Sequence, residues 1–221
     1  MFKHTLALVG FSLSVITLSV ITLSANAALY YRGNGMIYDD TRNITWLQDA
    51  NYAKTSGYDA DGKMSWSAAR DWANDLYYAG YNDWRLPSVN DDPELGSDKN
   101  SGELGHMYYT NLGKNFFDSL SANPSFTDAN DSSTKHFSNV QADLYWYDEQ
   151  HSELDTYSWI FYTNNGYQDY TPSINEGFSW AVRTGDVPQV VDAPQVVPVP
   201  ETMWLFGAAL LGLAGVVRRH R

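Results

Sequence analysis

The side chains in this sequence best equipped to bind or react are carboxylates, and they crowd into loops. Asp59-Ala60-Asp61-Gly62 sets two acids beside a glycine and invites a calcium reading. An EF-hand loop needs oxygen ligands at alternating positions, glycine at the sixth and glutamate at the twelfth. Here Gly62 directly follows the second Asp, so the spacing fails and an Asp-Gly turn is expected. Glu103 and His106 stand three apart, as helix-borne metal ligands do. No second histidine completes an HExxH pattern, so His106 is read as structural. A glycosidase needs two carboxylates at a fixed separation. With acids spread through Asn90–Gly105 and Asp148–Asp155, the sequence singles out no such pair. No Ser-His-Asp order or phosphate-cradling glycine loop is recognisable. The expectation is therefore no enzyme, no catalytic residue and no dedicated metal site. Ca²⁺ in the acidic loops is the one cofactor kept open.

A second kind of chemistry sits in Asp83-Trp84-Arg85-Leu86-Pro87-Ser88. Pro87 removes a donor and fixes φ, and it pushes Leu86 towards an extended conformation. Trp84 buries a large apolar area if its indole N–H finds a partner. Arg85 offers a planar fork of donors suited to a carboxylate or to backbone carbonyls. The favoured reading is a structural corner, with Trp84 in the core and Arg85 tying loops together. Contact with a ligand is the alternative.

Composition narrows the field further. The chain has 221 residues and no cysteine, which excludes disulfides, thiolate nucleophiles and Cys-ligated zinc. The segment Ala28–Pro200 holds ten basic and 25 acidic residues, a net charge of −15. So acidic a segment carries no electrostatic footprint for nucleic acid. It suits cations or neutral ligands. An aromatic fraction of 15% argues for a real core.

These residues need elements to position them. Ser65 to Tyr78 is the clearest helix: Ser65 caps it, Trp66, Ala69, Trp72, Ala73 and Leu76 form one apolar face, and Gly80 ends it. Tyr30–Tyr38 reads as two short strands around Gly33-Asn34-Gly35, and Ile44–Leu47 as a strand. Asn51–Gly62 and Asn123–Asn139 read as polar loops. Leu104–Leu112 and Phe116–Leu120 read as helical turns. Leu144–Tyr147, Tyr157–Tyr162 and Phe178–Arg183 are aromatic strand candidates, the last with alternating character.

The two ends read as targeting segments. Lys3 and His4 precede an apolar run to Leu23 and then Ala25-Asn26-Ala27, the pattern of a secretory signal over residues 1–27, with an uncleaved anchor as the alternative. Residues 28–187 form the domain, and residues 188–200 form a Pro/Val-rich linker. Residues 201–221 combine an apolar stretch, Met203–Val217, with a closing Arg218-Arg219-His220-Arg221. As a helix, that stretch spans about 22 Å, short of a hydrocarbon core of about 30 Å. Its basic end would stay cytoplasmic.

Val199-Pro200-Glu201-Thr202, the short apolar helix and the terminal arginines together resemble the PEP-CTERM sorting signal of Gram-negative bacteria, with Thr202 in place of the usual second proline. Pro200, Glu201, Arg218 and Arg219 carry that resemblance. It implies an exosortase-type processing enzyme as a partner, transient anchoring in the membrane through the C-terminal helix, and release to the cell surface or extracellular matrix. A plain membrane anchor is the alternative.

The body of the chain resembles the Lcl C-terminal-like domain family. The matching pieces are Gly35-Met36-Ile37-Tyr38-Asp39, Ile44-Thr45-Trp46-Leu47, the helix bearing Trp66 and Trp72, and the corner Asp83-Trp84-Arg85-Leu86-Pro87-Ser88. Tyr145-Trp146, Trp159-Ile160-Phe161 and Trp180-Ala181-Val182-Arg183 complete the set. The resemblance makes Trp66, Trp72, Trp84, Arg85, Pro87, Trp146, Trp159 and Trp180 the structural motif. The family's common Tyr-Trp-Ser-Ser is Tyr145-Trp146-Tyr147-Asp148 here, so that loop carries nothing over. The resemblance implies an α+β, C-type-lectin-like domain with small twisted antiparallel sheets, one main flanking helix and long loops, to which the terminal hydrophobic helices are added. It also makes binding of an extracellular polysaccharide an expectation, with Asn90–Gly105 and Asp148–Asp155 as the loops to supply it. A purely structural part of the envelope or biofilm is the competing expectation, and a glycan-active enzyme the third.

Overall fold

The computed structural model describes residues 28–91 and 93–190. The chain opens with a hairpin, β1 (Leu29–Gly33) and β2 (Met36–Asp39). Asn34 and Gly35 lie between them with φ of 48° and 69°, the left-handed pair that a tight hairpin turn requires. A Cβ at Gly35 would also crowd the Tyr78 hydroxyl, which donates to the Asn34 carbonyl at 2.9 Å. β3 (Ile44–Leu47) then pairs with β2 and is buried along its whole length. The expected polar loop after it contains a short helical turn, α1 (Tyr52–Thr55), seated on the fully buried Ala53.

β4 (Lys63–Met64) leads into the main helix, α2 (Trp66–Asp75). The Ser65 hydroxyl accepts from the Ala68 amide, as a cap should. Trp66, Ala69, Trp72 and Ala73 form its buried face. The helix stops at Asp75, earlier than the sequence suggested. Leu76 takes an extended conformation, and Tyr78 is carried against Tyr52 and Trp84 at ring distances of 5.0 and 6.0 Å. Gly80 belongs instead to a tight Tyr78–Tyr81 turn, with Ala79 also at positive φ.

β5 (Trp84–Arg85) is followed by a long loop and by α3 (Glu103–His106), which continues as one π-helical turn over Met107–Asn111. Phe116–Leu120 is not helical. Phe117 has φ of 72°, and the amides of Phe117 and Leu120 bond the carbonyls of Asn165 and Thr163. The polar stretch Asn123–Asn139 holds a hairpin, β6 (Ser125–Thr127) and β7 (Thr134–His136), whose neighbourhood delivers Phe126 and Phe137 to the core.

The last third is β-structure: β8 (Leu144–Gln150), β9 (Tyr157–Tyr162) and β10 (Gln168–Pro172), then β11 (Gly177–Phe178) and β12 (Val182–Thr184). The expected single strand Phe178–Arg183 is split. β11 joins β8 and β4 in a sheet of order β10-β9-β8-β11-β4, and β12 joins β3 and β5 in a sheet of order β1-β2-β3-β12-β5. Ser179, Trp180 and Ala181 are buried where the chain passes from one sheet to the other. Phe178 pairs with Tyr145 in parallel, an exception to the expected antiparallel sheets.

Successive residues of a strand point to opposite faces, and both faces here are covered. Tyr145, Tyr147, Trp159 and Phe161 enter a cluster with Trp46 and Trp180, whereas Trp146 and Ile160 enter a second cluster with Trp66, Trp72 and Trp84. The domain is a mixed α+β structure of small sheets and few helices. Among the described residues, no helix is long and apolar enough to cross a membrane. The segments expected to form terminal hydrophobic helices, the sorting-signal residues Pro200, Glu201, Arg218 and Arg219, and most of the linker lie outside the described residues. Pro188–Val190 are described, and the Val190 amide bonds the Arg32 carbonyl at 2.8 Å.

Candidate functional site

The corner Asp83–Ser88 touches four parts of the fold. Asp83 receives both Nε and Nη2 of Arg183 at 2.8 Å, and that guanidinium holds the Asp83 carboxyl below its usual range. Arg183 also sits 4.1 Å from the centre of the Tyr81 ring. Trp84 is 2% exposed, yet its indole N–H is buried without a partner, so the condition set from the sequence is not met. The indoles of Trp66, Trp146 and Trp180 do donate, to the carbonyls of Tyr147, Met64 and Leu47 at 2.8, 2.8 and 2.7 Å. Trp72 is buried in the helix face.

Arg85 makes the fork its chemistry suits. Its two terminal nitrogens donate to Glu103 at 2.7 and 2.8 Å, and the Ser88 amide donates to the same carboxylate at 2.8 Å. Glu103 and His106, adjacent on the sequence spacing, serve different neighbours. The buried His106 Nε2 lies 3.7 Å from the buried Asp39 Oδ2, and neither atom has a hydrogen-bond partner. Burial, with help from the Arg42 charge, lowers the His106 pKa to about 4, and burial raises that of Asp39. Among the described residues, no group of three or more His, Cys, Asp or Glu is placed to hold one metal ion. Asp59 makes the expected turn, its Oδ1 accepting from the amides of Asp61 and Gly62.

The corner's second consequence is a cleft. The Pro87 carbonyl accepts from the Asp148 amide at 2.9 Å, and the Val89 amide donates to Glu149 Oε2 at 2.9 Å. These bonds set the start of the Asn90–Gly105 loop beside the end of β8. The loop is held at its far side by Gly96, which exchanges two backbone bonds with Gln168 of β10. Between the two loops opens a cleft of about 570 Å³, within the size range of small-molecule sites. Its lining includes Asn90, Asp91 and Leu95 of the first loop, Glu149, His151 and Glu153 from the end of β8 onward, and Trp159 and Tyr170 of β9 and β10.

The aromatic part of this wall is a stack. His151 lies over Trp159 at 5.5 Å and 15° and meets Tyr170 edge-on at 4.5 Å. Trp159 is only 4% exposed, so the half-buried rings of His151 and Tyr170 are the ones a ligand would reach. Burial raises the Glu149 pKa against the opposing Val89 amide, and Asp148 adds to the rise. Asn90 adopts φ of 150°, a conformation that side-chain-bearing residues rarely take and that recurs at ligand-binding clamps.

Both stretches named from the sequence thus meet at one cleft, but Asp148–Gln150 is the end of β8 rather than loop, because the strand runs three residues past the expected Tyr147 to pair with β9. His151 and Tyr170 were missed. Tyr170 sits in Asp169-Tyr170-Thr171-Pro172, where the terminal proline and flanking polar residues mask a strand. His151 looks like any loop residue until β8 and β9 pair.

The class is therefore an aromatic-cored α+β domain in which a Trp-Arg corner fixes a loop-lined cleft. The chain belongs to the Lcl C-terminal domain family, which matches residues 35–183, well over half of its length. Neither curated proteins nor solved structures yield a match to it.

Proposed function

We propose that this is an exported, non-catalytic module of the cell surface or extracellular matrix, C-type-lectin-like in its arrangement, whose cleft binds carbohydrate. The observation that carries this reading is the cleft itself: half-buried rings beside carboxylates and amides, between two loops pinned to a rigid sheet. Rings of this kind stack on sugar faces, and the carboxylates accept from sugar hydroxyls. Export, release by an exosortase-type enzyme and surface location are supported by the sequence at the two ends. The reading requires no cofactor. Ca²⁺ is carried as a variable of the test.

The test is isothermal titration of the protein with neutral oligosaccharides, with and without Ca²⁺. Saturable binding without turnover, weakened at least tenfold by Tyr170→Ala, is the expected result. A flat trace with every sugar refutes binding and leaves a structural envelope component. Release of shortened sugars refutes the non-catalytic reading.

A further inference from the structure

The cleft's charge has no counterpart in its own walls. Among the described residues Asp91, Glu149 and Glu153 line it, no Lys or Arg does, and His151 is the one basic group there. The cations nearby in the chain are already engaged. Lys99 pairs with Glu94, Arg70 with Asp148, and Arg85 with Glu103. Ligand-sized space and reachable rings are independent of that charge, and together they narrow the ligand. A sulfated or uronate sugar would meet three carboxylates with no cation to receive it. A neutral sugar would leave them to accept from hydroxyls only. A protonated primary amine on a sugar ring supplies both the opposite charge and three donors.

We propose, resting on the carbohydrate reading above, that the cleft is specific for amine-bearing glycans, that is, oligomers of 2-amino-2-deoxy sugars with free amino groups. The ring packs against His151 and Tyr170, and the ammonium lies among Asp91, Glu149 and Glu153. The interaction weakens with salt, because the lining acids are only partly withdrawn from water.

The experiment is titration of the full chain, in mild detergent, with a β-1,4-linked glucosamine oligomer, its fully N-acetylated counterpart, a uronate oligomer of equal length, and oligolysine. Two exposed acids are replaced together, as Asp91→Asn with Glu153→Gln, because neither side chain bonds another described residue and the Glu153 contact to His151 runs through its backbone amide. The amino oligomer should bind about tenfold more tightly than the N-acetylated one at low salt. The double variant should bring the two oligomers to within about twofold of each other, whatever it does to their shared affinity, because the amine preference is read as a ratio; a tenfold ratio that survives in the double variant overturns the placing of the ammonium among these acids. Equal binding of the two oligomers overturns the amine specificity and leaves the carbohydrate reading standing. Oligolysine binding as well as the amino oligomer overturns it in favour of a plain cation site. Failure of all sugars overturns both readings.

Discussion

If the corner works as a clamp, Arg85 and Glu103 should lose stability together rather than separately. Glu103 accepts three charge-assisted bonds, two from Arg85 and one from the Ser88 amide. The two side chains are 24% and 12% exposed. Breaking a buried pair by removing one partner costs about 3–5 kcal/mol. Because both groups keep some contact with water, each single change, Arg85→Ala or Glu103→Ala, should cost about 3 kcal/mol. In the double variant no charge is left stranded, so it should cost about 4 kcal/mol rather than the sum, a coupling of about 2 kcal/mol. Arg85→Lys keeps the charge and loses the fork, and should fall between wild type and Arg85→Ala. Urea unfolding followed by tryptophan fluorescence measures all four. Single variants costing less than about 1 kcal/mol and adding independently would make this an ordinary surface pair. The corner could not then be what holds the cleft's two loops in place.

Two further predictions use buried polar atoms. Trp84→Phe removes an unpartnered indole donor, whereas Trp180→Phe strips the Leu47 carbonyl of a 2.7 Å bond. Trp180→Phe should therefore cost about 1–2 kcal/mol more in the same unfolding assay, and equal costs would contradict the assignment of partners. His106 is held neutral with its pKa lowered to about 4. The unfolded chain takes up that proton near pH 6.5 and the folded chain does not. The sign is thus a loss of stability as pH falls from about 6.5 to 4, reaching about 3 kcal/mol. Asp39, 3.7 Å away, has its carboxyl pushed up by burial, and a raised carboxyl acts in the opposite sense, adding stability as the pH falls and offsetting part of the His106 loss. Unfolding midpoints at pH 7 and pH 4.5 for wild type and His106→Gln test this. A His106→Gln protein with the same pH dependence would refute it.

Features coded locally were legible in the sequence. The α2 face follows from Trp66, Ala69, Trp72 and Ala73 at helical spacing, the first hairpin from Asn34-Gly35, and the Asp59–Gly62 turn from its own side chain. What was misread depends on distant partners. Phe178–Arg183 alternates like one strand, but Trp180 must reach Leu47 and Trp46 of one sheet while Phe178 pairs with Tyr145 of the other, so the chain changes sheets in between. Phe116–Leu120 looks helical by composition, yet its amides are taken by Asn165 and Thr163. The cleft falls into the same group. Its acids were identifiable in the sequence, but its rings come from Trp159 of β9, Tyr170 of β10 and His151 just after β8, and they meet only through sheet pairing. The two scales join at the corner. Arg85 and Pro87 stand out locally because a fork of donors and a fixed φ are needed there. Their effect is distant: through Glu103, Asp148 and the neighbouring Val89–Glu149 bond, the corner sets the spacing of the loops on either side of the cleft. A change at Arg85 should therefore weaken ligand binding without touching a ligand, whereas Tyr170→Ala, which removes a ring packed on Trp159 and His151, should weaken binding directly and lower the unfolding midpoint as well.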